Sequence, residues 1–578
     1  MLAASVTLRH VRDDPVRSLT LAWRALPAPL RGWVRFAGPY GRAAALWGAG
    51  DRRAALTSLE AAPARLAAFS LAVDQPQIAR SALARLPDGS RARPRLAAQL
   101  AFREGRLTDA VGELDGARGR RAARLRRSLR AELEMLCLPP GAVPAVTPRM
   151  RGSRGGPRTI TTRKPRAITR TPGRILHIVT DALPSTSAGY TVRTQEIAFA
   201  QRSIGMDPHV VTRIGFPVTA GEIDGRPLVA VDGVPYHRLL PWIMPGRADT
   251  IAETHLRDAA RLVADLGPSV LHAASNYSNA LIALALRDAT GLPVVYEVRG
   301  FWEDTWLSRH AAGAGTEGLD SSDRYRLSRA LETHCMRSAD LVVTLGEAMR
   351  DEITERGVPA DKIVIVPNGV SDEFLKPLPD DHGKLRTSLG IRPGEYVVGL
   401  VSSLVAHEGI GTLLEAVKIL NDRGIRTRAL IVGDGPERGA LQRQAAALGL
   451  DAIFTGRVPM ARVREYHAVL DVFVVPRTRD RVCQLVTPLK PVEAMASGRA
   501  VVVSGVRALE EIVTDEVTGL LVPPQDAVAL ADRLQRLLSS PQLRKKLGRG
   551  AREWVARDRG WVRAAGRYRD VYARLGAW

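Results

Sequence analysis

At 578 residues the chain is too long for one hydrophobic core, so about three domains are expected. Its apolar share of 45% and charged share of 25% are ordinary for a water-soluble globular protein, and no uncharged apolar run reaches the ~18–20 residues that span a bilayer. The formal charge of +23 is concentrated: residues 1–170 hold 32 basic and 12 acidic side chains, a surplus of +20, and the rest holds 51 and 48, a surplus of +3. The basic part is expected to seek anionic partners, or simply to reflect an arginine-rich composition. Three scattered cysteines, Cys137, Cys335 and Cys483, exclude a disulfide framework and a zinc site. With no short apolar secretory core at the N-terminus, a cytoplasmic protein is expected.

Residues 1–60 mix arginine with leucine, alanine, Trp23, Trp33 and Trp47, and read as helical. From Ala64 the spacing sharpens into two helix–turn–helix units, Leu66–Leu86 and Leu96–Leu114, offset by roughly 30 residues. They resemble a degenerate tetratricopeptide array, which would bind protein, and are equally compatible with a plain helical bundle. A basic helix follows with Arg120, Arg121, Arg124, Arg126, Arg127 and Arg130, either a membrane-facing surface or a solvated face. Residues 138–172, rich in Pro, Gly, Arg and Thr, read as a disordered basic linker. Residues 1–137 are therefore one helical, basic region.

At Arg174 the character changes. Ile175–Thr180 is a buried-strand run that opens into the small-residue loop Ser185–Tyr190, with a helix from about Val192. Further strands are expected at Ser269–His272, Val294–Val298, Leu341–Thr344 and Ile363–Val366, with helices between them and Pro367-Asn368-Gly369-Val370 as punctuation. A second series begins near Tyr396. Its strands are Val397–Val401, Ala429–Val432, Ile453–Val458, Val472–Val475, Val501–Val503 and Gly519–Val522. Two consecutive doubly wound α/β domains follow, 173–375 and 376–559, the first completed by a C-terminal helix at 560–578.

Between the strands at Val475 and Val501, a loop leads through Thr487-Pro488-Leu489-Lys490 into a short helix that carries Glu493 and stops at Gly498. A strand end, a loop and a helix start together form the crevice where open α/β sheets hold ligands. Lys490 supplies a point charge for phosphate, and Glu493 can accept two ribose hydroxyls.

The run from Pro488 to Val502 resembles the donor-site signature of the retaining GT-B glycosyltransferases, the large family 4 or group 1 type. The likeness covers 174–578 and includes, in order, the Gly189 loop, Pro367–Val370, Gly433-Asp434-Gly435-Pro436, Gly456-Arg457-Val458, the Glu493 helix and Thr518–Val522. Tyr296–Asp304 together with Pro488–Glu493 resembles a subfamily of exopolysaccharide and exosortase-associated enzymes. The resemblance implies two Rossmann-like domains facing a cleft. It implies transfer of a sugar from a nucleotide-diphospho-sugar to a hydroxyl of a glycan or lipid-linked acceptor, with retention of configuration and without a cofactor or metal. Lys490, Glu493 and Arg299 are the expected catalytic residues. Gly189, Ser403, Gly433, Gly435, Arg457, Val458, Thr487, Pro488 and Leu489 would join Lys490 and Glu493 around the donor. Tyr190, Arg193, Trp302, Glu303 and Asp304 would face the acceptor. His177 and His272 read as packed strand histidines, and His407 as a polar contact.

Two departures stand out. The family's second glutamate, eight positions before Glu493, is Leu485, and two phosphate-gripping cations are replaced by Ser403 and Glu408. Lys490, with Arg477 and Arg481 as alternatives, would have to replace those cations. The competing reading is a catalytically degenerate GT-B scaffold that recruits a polysaccharide-synthesis complex. The basic N-terminal region would meet an anionic membrane surface, on the inner face of the plasma membrane, or a protein. Nucleic acid is disfavoured, because no reader motif is present.

Overall fold

Valine- and isoleucine-rich runs with little polar alternation form strands covered on both faces, the pattern of a parallel sheet between helical layers. A computed structural model describes residues 1–25, 27, 31, 33–34, 36–137, 168–311, 318–378 and 382–578. Most of the expected linker, 138–167, lies outside the described residues.

The first sheet contains β1 (Arg174–Val179), β2 (Asp207–Thr212), β3 (Leu228–Val231), β4 (Val234–His237), β5 (Val270–Ala274), β6 (Val294–Val298), β7 (Leu341–Thr344) and β8 (Ile363–Ile365). Their order is β3-β4-β2-β1-β5-β6-β7-β8, and all pairs are parallel except β3 with β4. The second sheet contains β9 (Tyr396–Val401), β10 (Thr427–Val432), β11 (Ile453–Gly456), β12 (Val472–Val475), β13 (Val501–Ser504) and β14 (Leu520–Val522). Its order is β11-β10-β9-β12-β13-β14, so chain direction across the sheet reverses between β9 and β12. In the first sheet the corresponding reversal lies between β1 and β5. Ligands of doubly wound sheets bind outside the carboxyl ends of the strands at such points.

Three segments of the expected pattern were incomplete. Strands β2, β3 and β4 were not anticipated: Pro208 and Pro235 interrupt β2 and β4, and β3 is a run of only four residues. The segment Arg299–Asp304 is a short connection after β6 followed by the first turn of helix Trp302–Ala311. The helix expected from Val192 begins earlier, at Gly189.

The chain crosses to the second half after β8 and returns at Gly560, where the N–H of Val370 donates to the carbonyl of Arg559 at 2.8 Å. Helix Trp561–Ala573 then packs on helix Gly189–Ser203 and buries Trp561, Tyr568 and Tyr572 against the first sheet. Across the second sheet, helix Pro541–Asp558 packs on helix Lys490–Ala496, the element that carries Glu493.

The N-terminal region is helical, with the pairs Pro63–Ala72/Pro76–Ala84 and Arg93–Arg103/Leu107–Gly112 as its two helix–turn–helix units. It docks on the first half. Leu107 and Leu136 join that half's core, the N–H of Thr108 donates to Asp323 at 3.0 Å, and the N–H of Arg324 donates to Gly105 O at 3.0 Å. Gly105 has φ +76°, and a Cβ there would lie 2.7 Å from both Ser322 Oγ and the Trp306 ring, so only glycine permits this approach. In helix Arg120–Leu136, Leu129, Ala131 and Leu136 are buried, while Arg124 faces Asp13 at 3.6 Å and Arg130 faces Asp115 at 3.5 Å. Among the described residues no helix is long and apolar enough to cross a membrane.

Candidate active site

The carboxyl ends of β9 and β10, the Lys490 helix and the loop after β1 enclose an open cleft of about 840 Å³, counting the solvent at its mouth. Ser187, Ala188, Gly189 and Val192 line it from the first half. Ser402, Ser403, Gly433, Asp434, Arg457, Val458, Leu489, Lys490 and Glu493 line it from the second. Thus Gly189, Ser403, Gly433, Arg457, Val458, Leu489, Lys490 and Glu493, picked from scattered stretches of sequence, share one cavity. Gly435, Thr487 and Pro488 are not among its lining residues.

The glycines there are set by close approach. Gly433 has φ +136°, and a Cβ on it would fall 1.8 Å from Ser402 O; at Gly435 a Cβ would fall 2.3 Å from Leu404 O. The turn after β10 therefore crosses directly over the turn after β9, leaving backbone and small side chains as the wall.

Glu493 sits one turn into its helix and is only 3% exposed. Lys490 Nζ reaches Glu493 Oε2 at 3.0 Å, an i,i+3 pair on the cleft side. An acid and an amine so placed can bind a hydroxyl-bearing, phosphate-bearing ligand end to end, the carboxylate accepting and the ammonium donating. Arg457, from the same half, lines the cleft and is exposed. From the first half, Glu196 lies one turn beyond Val192 on helix Gly189–Ser203. Burial and the neighbouring acids Glu493, Asp232 and Asp372 push its carboxyl up to about 7.

The two departures from the family pattern each have a structural counterpart. Glu408 Oε1 meets Arg477 Nη2 at 2.8 Å, both side chains nearly buried, and Arg477 Nη1 donates to Val486 O at 2.9 Å. Burial alone would raise the Glu408 carboxyl, but Arg477 holds it below the usual range. Arg477 is therefore committed to Glu408 and to the shape of the 476–489 loop, and is not a replacement phosphate cation. Leu485 is 5% exposed and belongs to the first half's core with Phe301 and Val298, so it works as an apolar link between the halves. Arg481 also spans the halves, pairing with Glu352 and, at 3.4 Å, with Asp304. Further closure comes from Glu511, which accepts the N–H groups of Glu347 and Ala348 at 3.0 and 2.6 Å.

Several acceptor-side expectations change. Arg193 is buried, not open to the cleft: it donates to Glu297 Oε1 at 2.8 Å, Val366 O at 2.8 Å, Tyr568 Oη at 3.0 Å, Asn368 Oδ1 at 3.0 Å and Pro367 O at 3.1 Å. All five N–H bonds of its guanidinium are used inside the protein. Glu303 and Asp304 likewise point inward, Glu303 to Arg356 at 2.6 Å and Asp304 to the hydroxyl of Tyr325 at 2.8 Å. Helix Trp302–Ala311 turns both acids toward packed helices, which is why they do not face solvent. Arg299 is held by Glu297 Oε2 at 2.7 Å, Thr194 Oγ1 at 2.6 Å and Tyr190 O at 2.9 Å. Tyr190 and Trp302 remain exposed, and the Tyr190 hydroxyl bonds Asp181 at 3.1 Å.

The organising acid of the first half, Glu297, was not singled out from the sequence. Burial would raise its carboxyl, but Arg299, Arg193 and His272 hold it well below the carboxylate range. His272 Nε2 meets Glu297 Oε2 at 3.0 Å and His177 Nε2 meets Gln201 Oε1 at 2.8 Å, both histidines buried in strands. His407 contacts Ser308 Oγ at 3.2 Å across the halves. Asn368 connects this network to the donor side: it accepts from Arg193 and its amide donates to Thr487 O at 2.8 Å.

Residues 188–369 match the glycosyl transferase 4-like domain, and residues 381–554 match the glycosyl transferases group 1 domain. The chain has the GT-B fold, with a glycosyltransferase domain match on each half. This GT-B chain is 25% identical over 328 residues to alpha-D-kanosaminyltransferase of Streptomyces kanamyceticus, a match spanning 56% of the chain and 81% of the relative. It is 30% identical over 227 residues to a GDP-mannose-dependent alpha-(1-6)-phosphatidylinositol monomannoside mannosyltransferase of Mycolicibacterium smegmatis, spanning 39% of the chain and 59% of the relative. Among solved structures it resembles Anabaena HepE in complex with UDP-glucose, with a TM-score of 0.54 and 18% identity over 69% of this chain and 99% of that one.

Proposed function

We propose that this GT-B chain transfers a sugar from a nucleotide-diphospho-sugar to a hydroxyl of a glycan or lipid-linked acceptor, in cell-surface polysaccharide synthesis. The observation that carries the reading is the placement of Glu493 and Lys490 on one interdomain cleft with the Gly433 turn, Arg457 and Gly189. Glu493 accepts the ribose hydroxyls, Val458 and its backbone border the base, and Lys490 and Arg457 meet the diphosphate. As the bond from the sugar's anomeric carbon to phosphate oxygen breaks, negative charge builds on the leaving diphosphate. Fixed cations at the cleft stabilise it, with no metal required. The acceptor oxygen bonds the anomeric carbon on the same face, its proton passing to the departing phosphate oxygen, so configuration is retained. Arg299 positions the first half's loop at Tyr190, where the acceptor enters. The scaffold reading is weaker, because Glu408 is neutralised by Arg477 and the cleft keeps its acid and amine.

A screen of nucleotide-sugars for transfer or hydrolysis, with Glu493→Ala and Lys490→Ala alongside, tests the reading. Each substitution is expected to lower kcat/KM by at least about 100-fold, roughly 2.7 kcal/mol of transition-state stabilisation. Turnover unchanged in both variants would place the chemistry elsewhere.

A further inference from the structure

We propose that the rim formed by helix Leu2–Asp13 and the loop after β4 is a docking surface for an anionic lipid bilayer. Trp242 and Ile243, adjacent on that loop, are 74% and 60% exposed. The loop is firmly held. Met244 packs with Val6 and Ile214, its N–H donates to Ser5 Oγ at 3.2 Å, and the carbonyl of Pro245 accepts from the Arg9 guanidinium. The element that pins it, helix Leu2–Asp13, is itself two-faced. It buries Val6 inward and turns out Met1, Leu8 and Val11, which are 68%, 69% and 50% exposed. At about 100° per residue those three positions fall within an arc of about 80°, opposite Val6. Ile223, 86% exposed, follows the Val218–Ala220 turn on which the same helix packs. Large apolar side chains from three segments are thus presented around one ordered junction, the signature of a surface that is covered in use.

Charge and position select a bilayer as the cover. Residues 1–137 hold 24 arginines and no lysine against 12 acids; at the rim itself Arg17 is exposed, Arg12 is exposed and paired with Asp13 at 3.0 Å, and Ile223 lies between Glu222 and Asp224. Projecting tryptophan and aliphatic side chains beside a basic surplus are the composition of an interfacial membrane contact, the apolar tips entering the headgroup boundary and the arginines meeting acidic headgroups. Strand β4 runs parallel to β2 and β1, so the loop after it emerges at the carboxyl edge of the first sheet. The cleft-lining loop Ser187–Gly189 emerges from that same edge. A bilayer docked here would lie beside the mouth of the cleft, within reach of a lipid-carried acceptor; that last clause alone rests on the transfer reading.

Co-sedimentation of the full chain with vesicles tests the docking. The vesicles are phosphatidylcholine alone and phosphatidylcholine containing one-third phosphatidylglycerol. The wild-type chain is expected to pellet with the anionic vesicles and at least tenfold less with the neutral ones. Trp242→Glu/Ile243→Glu, and independently Leu8→Glu/Val11→Glu, should each reduce pelleting at least tenfold, with circular dichroism and nucleotide affinity unchanged. The proposal is overturned if the wild-type chain stays in the supernatant with both vesicles. It is equally overturned if both double variants pellet like wild type, or if light scattering finds a dimer that Trp242→Glu/Ile243→Glu converts to monomer. Because nucleotide affinity is read separately, failure of docking leaves the transfer reading standing.

Discussion

Replacing Glu408 by alanine strands a nearly buried arginine. Arg477 and Glu408 side chains are only 9% and 12% exposed and meet at 2.8 Å. At an effective dielectric constant near 20, two unit charges at that distance attract by about 6 kcal/mol, much of which offsets the loss of their hydration. Removing one partner leaves the other charged and desolvated, which costs about 3–5 kcal/mol. Arg477 already has Nε buried without a partner, so it has no slack to re-pair. Since Arg477 also holds Val486 O, the loss should propagate into the Thr487–Lys490 loop and weaken nucleotide binding as well. In scanning calorimetry Glu408→Ala should lower the second domain's transition by about 10 °C, at about 2–4 °C per kcal/mol. Glu408→Lys, which restores the family's cation, should be worse, because it sets a second positive charge beside Arg477. Glu408→Leu/Arg477→Met, which removes both charges, should recover most of the stability. A loss below 1 kcal/mol for Glu408→Ala, or a double variant as unstable as the single, would refute compensation by this pair.

Leu485→Glu reinstates the family's second acid, yet the side chain would enter the apolar contact with Phe301; expression and thermal melting should show a loss of about 3 kcal/mol or more, with no gain in transfer. Glu196 titrates near 7 when folded, against 4.5 unperturbed, so the folded chain holds the extra proton between those values and stability falls as pH rises through that window. Glu196→Gln should therefore melt like wild type at pH 4 and be more stable by about 2 kcal/mol at pH 8, and it should remove a decline in nucleotide affinity above pH 7.

Much of this arrangement was legible in the sequence because it is locally encoded. The valine-rich strands, the glycine turns at Gly433 and Gly435 and the short helix of Glu493 follow from runs and punctuation within a few residues. The α/β class and most strands of both sheets came from that signal alone. Strand β4 was missed although Asp232-Gly233, between β3 and β4, is a hairpin signal. What remained hidden depends on partners far away in the chain. Arg193 was read as an acceptor contact, but its bonds reach Glu297 and Tyr568, 104 and 375 positions away, and no local pattern reports such a network. Leu485 looked like a lost donor contact, but it packs against the other half's core. Arg477 looked available for phosphate until Glu408, 69 positions earlier, was found beside it. The basic N-terminal region had the composition of a detached appendage, yet its contacts at Gly105, Leu107 and Val6 fix it to the first half.

Isothermal titration of the full chain with UDP and GDP, on wild type and Glu493→Ala, addresses the central assignment most directly. One of the two nucleotides should bind wild type, with affinity at least tenfold weaker in the variant, while the variant's melting temperature stays within a few degrees of wild type. Equal affinity in both proteins, or no binding of either nucleotide to wild type, would contradict the assignment of this cleft to a nucleotide-linked sugar.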